Sequence, residues 1–224
     1  MDGFEPLESF GPDVAAHYDD HLRGDEDRTV EFLVEVAAGR PVCEFAIGTG
    51  RIAVPLAANG VDVCGIDQSQ AMLDRLRERN ADIPVVRGDM TTDGPNGRFG
   101  LVYLVYNTIG NVLTQEGQVA VFRNAASRLL DDGIFVIENA TPWQTFGRSQ
   151  FVEAEYVGSD SIVLDVNRFD PSTQRLSENH VRISNDGIRL GPIAQRLTTP
   201  AELDLMAQLA GLHPLGRFSG WAWE

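Results

Sequence analysis

Lysine is missing altogether from this chain of 224 residues, and all eighteen basic residues are arginine. That excludes Schiff-base enzymes and lysine-dependent phosphate loops, since both need an amine that titrates or reaches phosphate. Cysteine is nearly absent. Cys43 and Cys64 are the two present, and both sit inside short apolar runs, where a small buried residue is expected rather than a redox or metal pair. The four histidines, His17, His21, His180 and His213, do not cluster. His17 and His21 stand at i, i+4 but lack the intervening helper residue of a zinc helix, so no metal site is expected. No apolar run approaches the ~18 residues that a membrane span needs, and the N-terminus has no signal-like pattern. A soluble, cytoplasmic protein without a membrane partner is expected. Positive charge is scarce as well: eighteen bases against 33 acids give a formal net charge of −15, which would repel nucleic-acid phosphates over most of the surface. A small-molecule partner fits better. Arginine-only basicity with abundant Ala and Gly points to a GC-rich bacterial genome.

What is present is concentrated between residues 42 and 90. Val42-Cys43-Glu44-Phe45 is apolar and too short for an independent helix. It gives way through Ala46-Ile47 to Gly48-Thr49-Gly50, then to the helical stretch Arg51 to Ala58. That is strand, tight turn, helix. The glycines let the chain turn sharply and a ligand approach the main chain, while amides at the helix start face whatever is bound. A second strand, Val61 to Ile66, ends at Asp67, whose carboxylate can take two hydrogen bonds from a ribose diol.

Gly48-x-Gly50-x-x-Ala53 with an acid about twenty residues on also satisfies the dinucleotide fingerprint. Glu44 separates the two readings, because an acid four residues before Gly48 suits a cationic ligand end, directly or through the loop backbone, and repels a pyrophosphate. The third strand, Ile83 to Gly88, runs into Asp89-Met90, which offers a carboxylate to an adenine amino group and an apolar side chain to its ring. With these residues the segment resembles the class I S-adenosylmethionine-dependent methyltransferases, whose motifs run E-x-G-x-G-x-G, an acid ending the second strand, then G-D-M. The resemblance covers roughly residues 40 to 140 and, more loosely, the remainder. It implies S-adenosylmethionine as cofactor and S-adenosylhomocysteine as product. Glu44, Gly48 and Gly50 would border the methionine part, Asp67 the ribose, Gln68 the ribose and adenine edge, and Asp89 with Met90 the adenine. Ala46 stands where the family usually keeps its first glycine, so its methyl group narrows the methionine end.

The fold class expected is α/β: a Rossmann-like, doubly wound, mostly parallel sheet with helices on both faces and an inserted antiparallel β cap. Residues 1–40 read as a helical lid, 41–140 as the cofactor-binding core, 141–198 as the cap, and 199–224 as a helix and strand returning to the core. Helices are expected around Asp13 to Leu22 and from Thr29 to Ala38. Tyr18-Asp19 in the first resembles the lid of small-molecule methyltransferases, although an ordinary anchoring tyrosine fits equally. A fourth strand, Leu101 to Val105, ends at Tyr106-Asn107, where open α/β sheets gather catalytic contacts. A helix from Thr114 carries Val119, Phe122, Ala126 and Leu129 on one face, and the fifth strand is Ile134 to Glu138. From Phe151 to Leu197 residues alternate, with turns at Asp170-Pro171-Ser172 and Asn185-Asp186-Gly187, so hairpins are expected. They form a cap, a dimerisation sheet, or both. Thr199-Pro200-Ala201-Glu202 restarts a helix with a buried stripe of Leu203, Met206, Leu209 and Ala210. A sixth strand is expected after it, with no residues left for a seventh, so the chain is truncated or closes its sheet differently.

Methyl transfer from a sulfonium is an in-line displacement in which alignment and exclusion of water matter most. The expected acceptor is a small molecule methylated at N or O. Tyr18, Tyr106 and Asn107 are the candidate catalytic residues, Trp143 and His180 the candidate substrate contacts. Two rival readings stay open: a short nicotinamide oxidoreductase, which would lack the Tyr-x-x-x-Lys pair, and a catalytically silent methyltransferase-like subunit.

Overall fold

The computed structural model describes residues 9–20 and 23–222, so His21, Leu22 and Trp223 lie outside the described residues. Five strands, β1 (Val42–Phe45), β2 (Val63–Asp67), β3 (Val85–Arg87), β4 (Phe99–Leu104) and β5 (Leu129–Ile137), form one sheet in the order β3-β2-β1-β4-β5. All its pairings are parallel. The chain winds from β1 outward to β3 and then crosses back to β4. The strand order therefore reverses between β1 and β4, the place where open α/β sheets form their binding crevice.

Among the described residues six α-helices surround it: α1 (Pro12–His17), α2 (Glu26–Ala37), α3 (Ala53–Ala58), α4 (Gln70–Arg79), α5 (Gln115–Arg128) and α6 (Pro200–Leu209). Alternation along the strands explains the two layers. Val42, Leu101 and Tyr103 pack with Leu33, Leu56, Leu73 and Leu76 of α2 to α4. Cys43, Phe45, Val102 and Leu104 pack with Val121 and Phe122 of α5 and Met206 of α6. Because both faces are covered, these strands read as continuous apolar runs. Cys43 and Cys64 are register partners and both remain free thiols.

The helix ends follow local chemistry. Ser69 caps α4 and Thr114 caps α5, their hydroxyls accepting from the Met72 and Gly117 amides. Thr199 caps α6 by accepting from the Glu202 amide, with Pro200 following. The stripe on α6 is narrower than expected, since Leu209 is 61% exposed while Met206 is buried. On α5 the buried position is Ala125 rather than Ala126. Leu129 already belongs to β5. The expected sixth strand is not formed among the described residues; Pro214, Gly216 and Gly220 remove ladder donors and side chains from that segment. Instead Phe218 and Trp221 pack edge-on against Phe32, with ring centroids 5.9 and 5.4 Å away.

Between β5 and α6 lies a separate antiparallel sheet of β6 (Gln150–Val157), β7 (Ser161–Asp170), β8 (Arg175–Ser184) and β9 (Gly187–Arg196), in that order. Two of its three turns fall at the predicted places; the third, between β6 and β7 at residues 158–160, was not expected from the sequence. The Arg196 side chain, 4% exposed, ties the end of β9 to the parallel-sheet layer. It donates to Gln118 of α5, Glu202 of α6 and Gln174.

Candidate functional site

A cavity opens at the β1/β4 switch point, over the carboxyl ends of the strands. Its lining comes from the turn after β1 (Ala46, Gly48), the end of β2 and start of α4 (Asp67, Gln68, Ser69, Met72) and the end of β3 (Gly88, Asp89, Met90). Thr108, Asn111 and Val112 follow β4, and Phe10 and Tyr18 come from the N-terminal segment. Two carboxylates and no basic residue are among them.

Asp67 organises one side. Its Oδ2 accepts the Gly48 amide at 2.9 Å and its Oδ1 the Ser69 amide at 2.8 Å, so both turns are tied to one carboxylate. Burial pushes its pKa up, with those amides and that of Gln68 pulling the other way. A carboxylate has about four acceptor sites, so room is left for ligand hydroxyls. Across the cavity, Asp89 Oδ1 accepts the Thr91 amide at 2.8 Å. The loop is held from beneath by Asn124 of α5, which donates to the Met90 and Asp93 carbonyls at 2.9 and 2.7 Å.

The turn after β1 carries its own strain. Ala46 has φ +54°, in the left-handed region, which costs a non-glycine residue roughly 1–2 kcal/mol. Gly50, at φ +76°, has Val54 Cγ2 only 2.9 Å from where a Cβ would sit, so both conformation and space demand glycine there. Gly50 packs beneath the cavity whereas Gly48 lines it. Glu44 is 3% exposed and does not line the cavity. Its Oε2 accepts the Tyr103 hydroxyl at 2.6 Å, and the Ala53 amide at the head of α3 bonds the same carboxyl. Burial holds Glu44 well above the usual carboxylate range. It thus fixes the Gly-rich turn from below, connecting β1 to the helix that follows.

Tyr18 lines the cavity and Tyr106 stands beside it, linked through Arg51, whose guanidinium lies 4.5 Å from the Tyr18 ring centre and 5.1 Å from that of Tyr106. Arg51 also donates to the Tyr18 carbonyl and to Asp19. Arg23 lies 4.3 Å from the Tyr106 ring centre and bonds Glu138 at 2.6 Å. The Tyr106 hydroxyl donates to Glu26 at 2.8 Å, and burial pushes its pKa up to about 12. Tyr106 and Asn107 both adopt positive φ, +63° and +57°, and strain of this kind is common where strand ends form sites. Asn107 Oδ1 accepts the Ala140 amide.

Trp143 and His180 are not brought to this cavity. Trp143 lies on the short 3₁₀ turn Pro142–Gln144, 58% exposed, edge-on to Phe146 at 5.9 Å. His180 lies on β8 among Asp165, Glu155 and Glu178. Its hydrogen bond to Glu178 leads the causes that raise its pKa to about 9. Several cavity contacts escape reading from sequence: Phe10, whose carbonyl accepts the Ser69 hydroxyl at 2.7 Å, and Asn111, whose Oδ1 is buried without a partner. The serine cap before α4 was the available signal for Ser69. Asn111 and Asn124 give none, being single polar residues without pattern.

A reversing parallel sheet, a Gly-rich turn and an acid-lined cavity together define a nucleoside-binding Rossmann-like protein. Residues 42–133 match the family described as "Methyltransferase domain". The solved structure of the CcbJ methyltransferase from Streptomyces caelestis is 33% identical, with a TM-score of 0.91 over 98% of this chain and 92% of that one. The dTDP-3-amino-3,6-dideoxy-alpha-D-glucopyranose N,N-dimethyltransferase of Streptomyces fradiae is 33% identical over 45% of this chain, which spans 38% of that enzyme. S-adenosylmethionine-bound CalS10 from Micromonospora echinaspora, an amino pentose methyltransferase, shares the fold at 22% identity, with a TM-score of 0.63 over 89% of this chain and 82% of that one. The chain belongs to the S-adenosylmethionine-dependent methyltransferases. S-adenosylmethionine is its cofactor, and the cavity fits it: carboxylates stand ready for hydroxyl and amino donors, and the unpartnered Asn111 oxygen awaits another.

Proposed function

We propose that the protein moves a methyl group from S-adenosylmethionine to a nitrogen or oxygen of a small, sugar-type or related natural-product acceptor. The observation that carries this is the cavity at the switch point, lined by Asp67 and Asp89 with no basic residue. The bound cofactor supplies an electrophilic methyl on a sulfonium. Asp67 takes the ribose hydroxyls, Gln68 the neighbouring edge, and Asp89 with Met90 the adenine. Ala46 and Gly48 border the methionine part, which Gly50 and Glu44 serve by fixing the turn from beneath.

Tyr18 and Tyr106 wall the transferring end, with Arg51 between them, and Asn107 shapes the strand end on which Tyr106 sits. Tyr106 serves as an anchor rather than a base, because a hydroxyl titrating at about 12 holds its proton at neutral pH. Catalysis then rests on aligning the acceptor with the methyl group and excluding water. The N-terminal segment supports a lid role: its Phe10 and Tyr18 line the cavity, and the Ser9 hydroxyl donates to the Pro192 carbonyl of β9 at 2.7 Å. The antiparallel sheet is the cap, and one of its faces carries His180. The exposed apolar residues Val152, Val166, Ile188 and Leu190 on its other face support a homodimer, which sedimentation of the free protein tests.

The relatives named above include enzymes acting on amino sugars, so amine-bearing sugars are the first acceptors to try. Incubation with methyl-labelled S-adenosylmethionine and matched amino and hydroxy sugars, read by mass spectrometry, is the test. Label is expected in at least one class. Label in neither class, nor in any small molecule of a metabolite extract, would favour the silent-subunit reading.

A further inference from the structure

Away from the cavity, the antiparallel sheet gathers ionisable side chains on one face. β7 and β8 pair Asp165 with His180 and Asn167 with Glu178, and the pleat puts both pairs on the same side. Glu155 joins them where the β6 ladder slips between Ala154 and Tyr156, since a bulge re-aims the side chain it inserts. The same face carries Phe169, stacked on Phe146, and Gln195, which lies against Gly110. Among the described residues, no arginine pairs with Glu155, Asp165 or Glu178.

The donor atoms stand close enough together to share one metal ion, although His180 and Asp165 are hydrogen-bonded to each other in this structure. His180 Nδ1 lies 2.7 Å from Asp165 Oδ1 and 3.5 Å from Glu155 Oε2. Donor atoms of the three residues lie within 4.8 Å of one another. Ligand atoms around a tetrahedral zinc with bonds of about 2.0–2.1 Å stand roughly 3.3 Å apart, between those two separations. The second ring nitrogen, Nε2, faces Glu178 Oε1 at 3.1 Å. A metal-binding histidine is typically held in this way, ligating through one nitrogen and donating the other N–H to a carboxylate.

Asn167 adds an independent sign. It is 5% exposed, its Nδ2 donates to the Asp165 carbonyl at 3.1 Å, and its Oδ1 has no partner. Buried amide oxygens are almost always satisfied. This one stands on the face of the cluster, directly across from Glu178.

We propose that Glu155, Asp165 and His180, backed by Glu178 and Asn167, form a binding site for a divalent transition-metal ion of the zinc type. Three protein ligands leave a position open, which water or an oxygen of the acceptor can fill. The site shares no residue with the nucleoside cavity and does not depend on the methyltransferase reading.

Titration calorimetry of the metal-stripped full chain with zinc chloride tests it. One zinc per chain is expected, with binding weakened at least about tenfold by Asp165→Asn and His180→Gln, and about tenfold by Glu178→Gln. Glu155→Gln, on the exposed bulge, keeps the test valid if an inner variant fails to fold, and His213→Gln should bind as the wild type does. Circular dichroism melts and S-adenosylhomocysteine binding report that each variant is folded. Absence of zinc binding, or stoichiometric binding unaffected by Glu155→Gln, Asp165→Asn and His180→Gln, would overturn the proposal.

Discussion

Replacing Asp67 by asparagine keeps the size of the side chain and removes one acceptor oxygen. In the native chain each oxygen already accepts a backbone amide, from Gly48 at 2.9 Å and Ser69 at 2.8 Å. The new NH₂ must therefore face one of those amides, donor against donor, which costs about 1–3 kcal/mol of stability. The ribose hydroxyls lose more. Hydrogen bonds to a charged group contribute roughly 1.5–3 kcal/mol each, and Asp67→Asn removes one outright and weakens the other. A loss of about 3 kcal/mol corresponds to roughly a hundredfold rise in the dissociation constant. Calorimetry with S-adenosylhomocysteine on wild type and Asp67→Asn measures it, with thermal melts to separate a damaged site from an unfolded one. A folded variant with wild-type affinity would refute the assignment of Asp67 to the ribose.

Ala46→Gly should stabilise the fold by about 0.5–1 kcal/mol, because relief of the left-handed φ outweighs the glycine's added unfolded-state entropy; an unchanged or lower urea midpoint contradicts this. Arg196→Met leaves Glu202 without its buried partner and should destabilise by about 3–5 kcal/mol, seen as a large fall in melting temperature. Asn124→Ala frees the Met90 and Asp93 carbonyls, so S-adenosylhomocysteine affinity should fall about tenfold while the helix itself survives. Burial opposes ionisation of Glu26, yet the Arg23 and Gly24 amides and the Tyr106 hydroxyl bring its pKa down to about 2. The contribution is therefore complete above the ordinary carboxylate pKa and disappears as pH falls toward 2. Glu26→Gln should be less stable than wild type at pH 7, and the gap should close on acidification; a pH-independent gap rules out this linkage.

The parts of the fold legible in the sequence are those in which one short segment carries the whole signal. The Gly48-Thr49-Gly50 turn, the acid ending β2, Asp89-Met90 after β3, the hairpin turns and the Thr199 cap each depend on neighbours a few residues away. Other features depend on pairings that only the folded sheet provides. Glu44 meets Tyr103 because β1 and β4 align those two positions in register, and nothing near Glu44 in the chain announces it. Arg51 gathers Tyr18, Asp19, Glu26 and Tyr106 from three separate segments. Leu209 carries the spacing of a buried stripe, yet α6 meets the core through Leu203, Met206, Ala207 and Ala210 and leaves Leu209 exposed. The missing sixth strand has a local cause in Pro214 and the nearby glycines, which outweighs the topology of the family.

The most direct test of the account is a pair of calorimetric titrations of the wild-type chain, one with S-adenosylhomocysteine and one with NAD. One-to-one binding of S-adenosylhomocysteine with no heat from NAD is the predicted result. Binding of NAD without S-adenosylhomocysteine would contradict the reading of the acid-lined cavity.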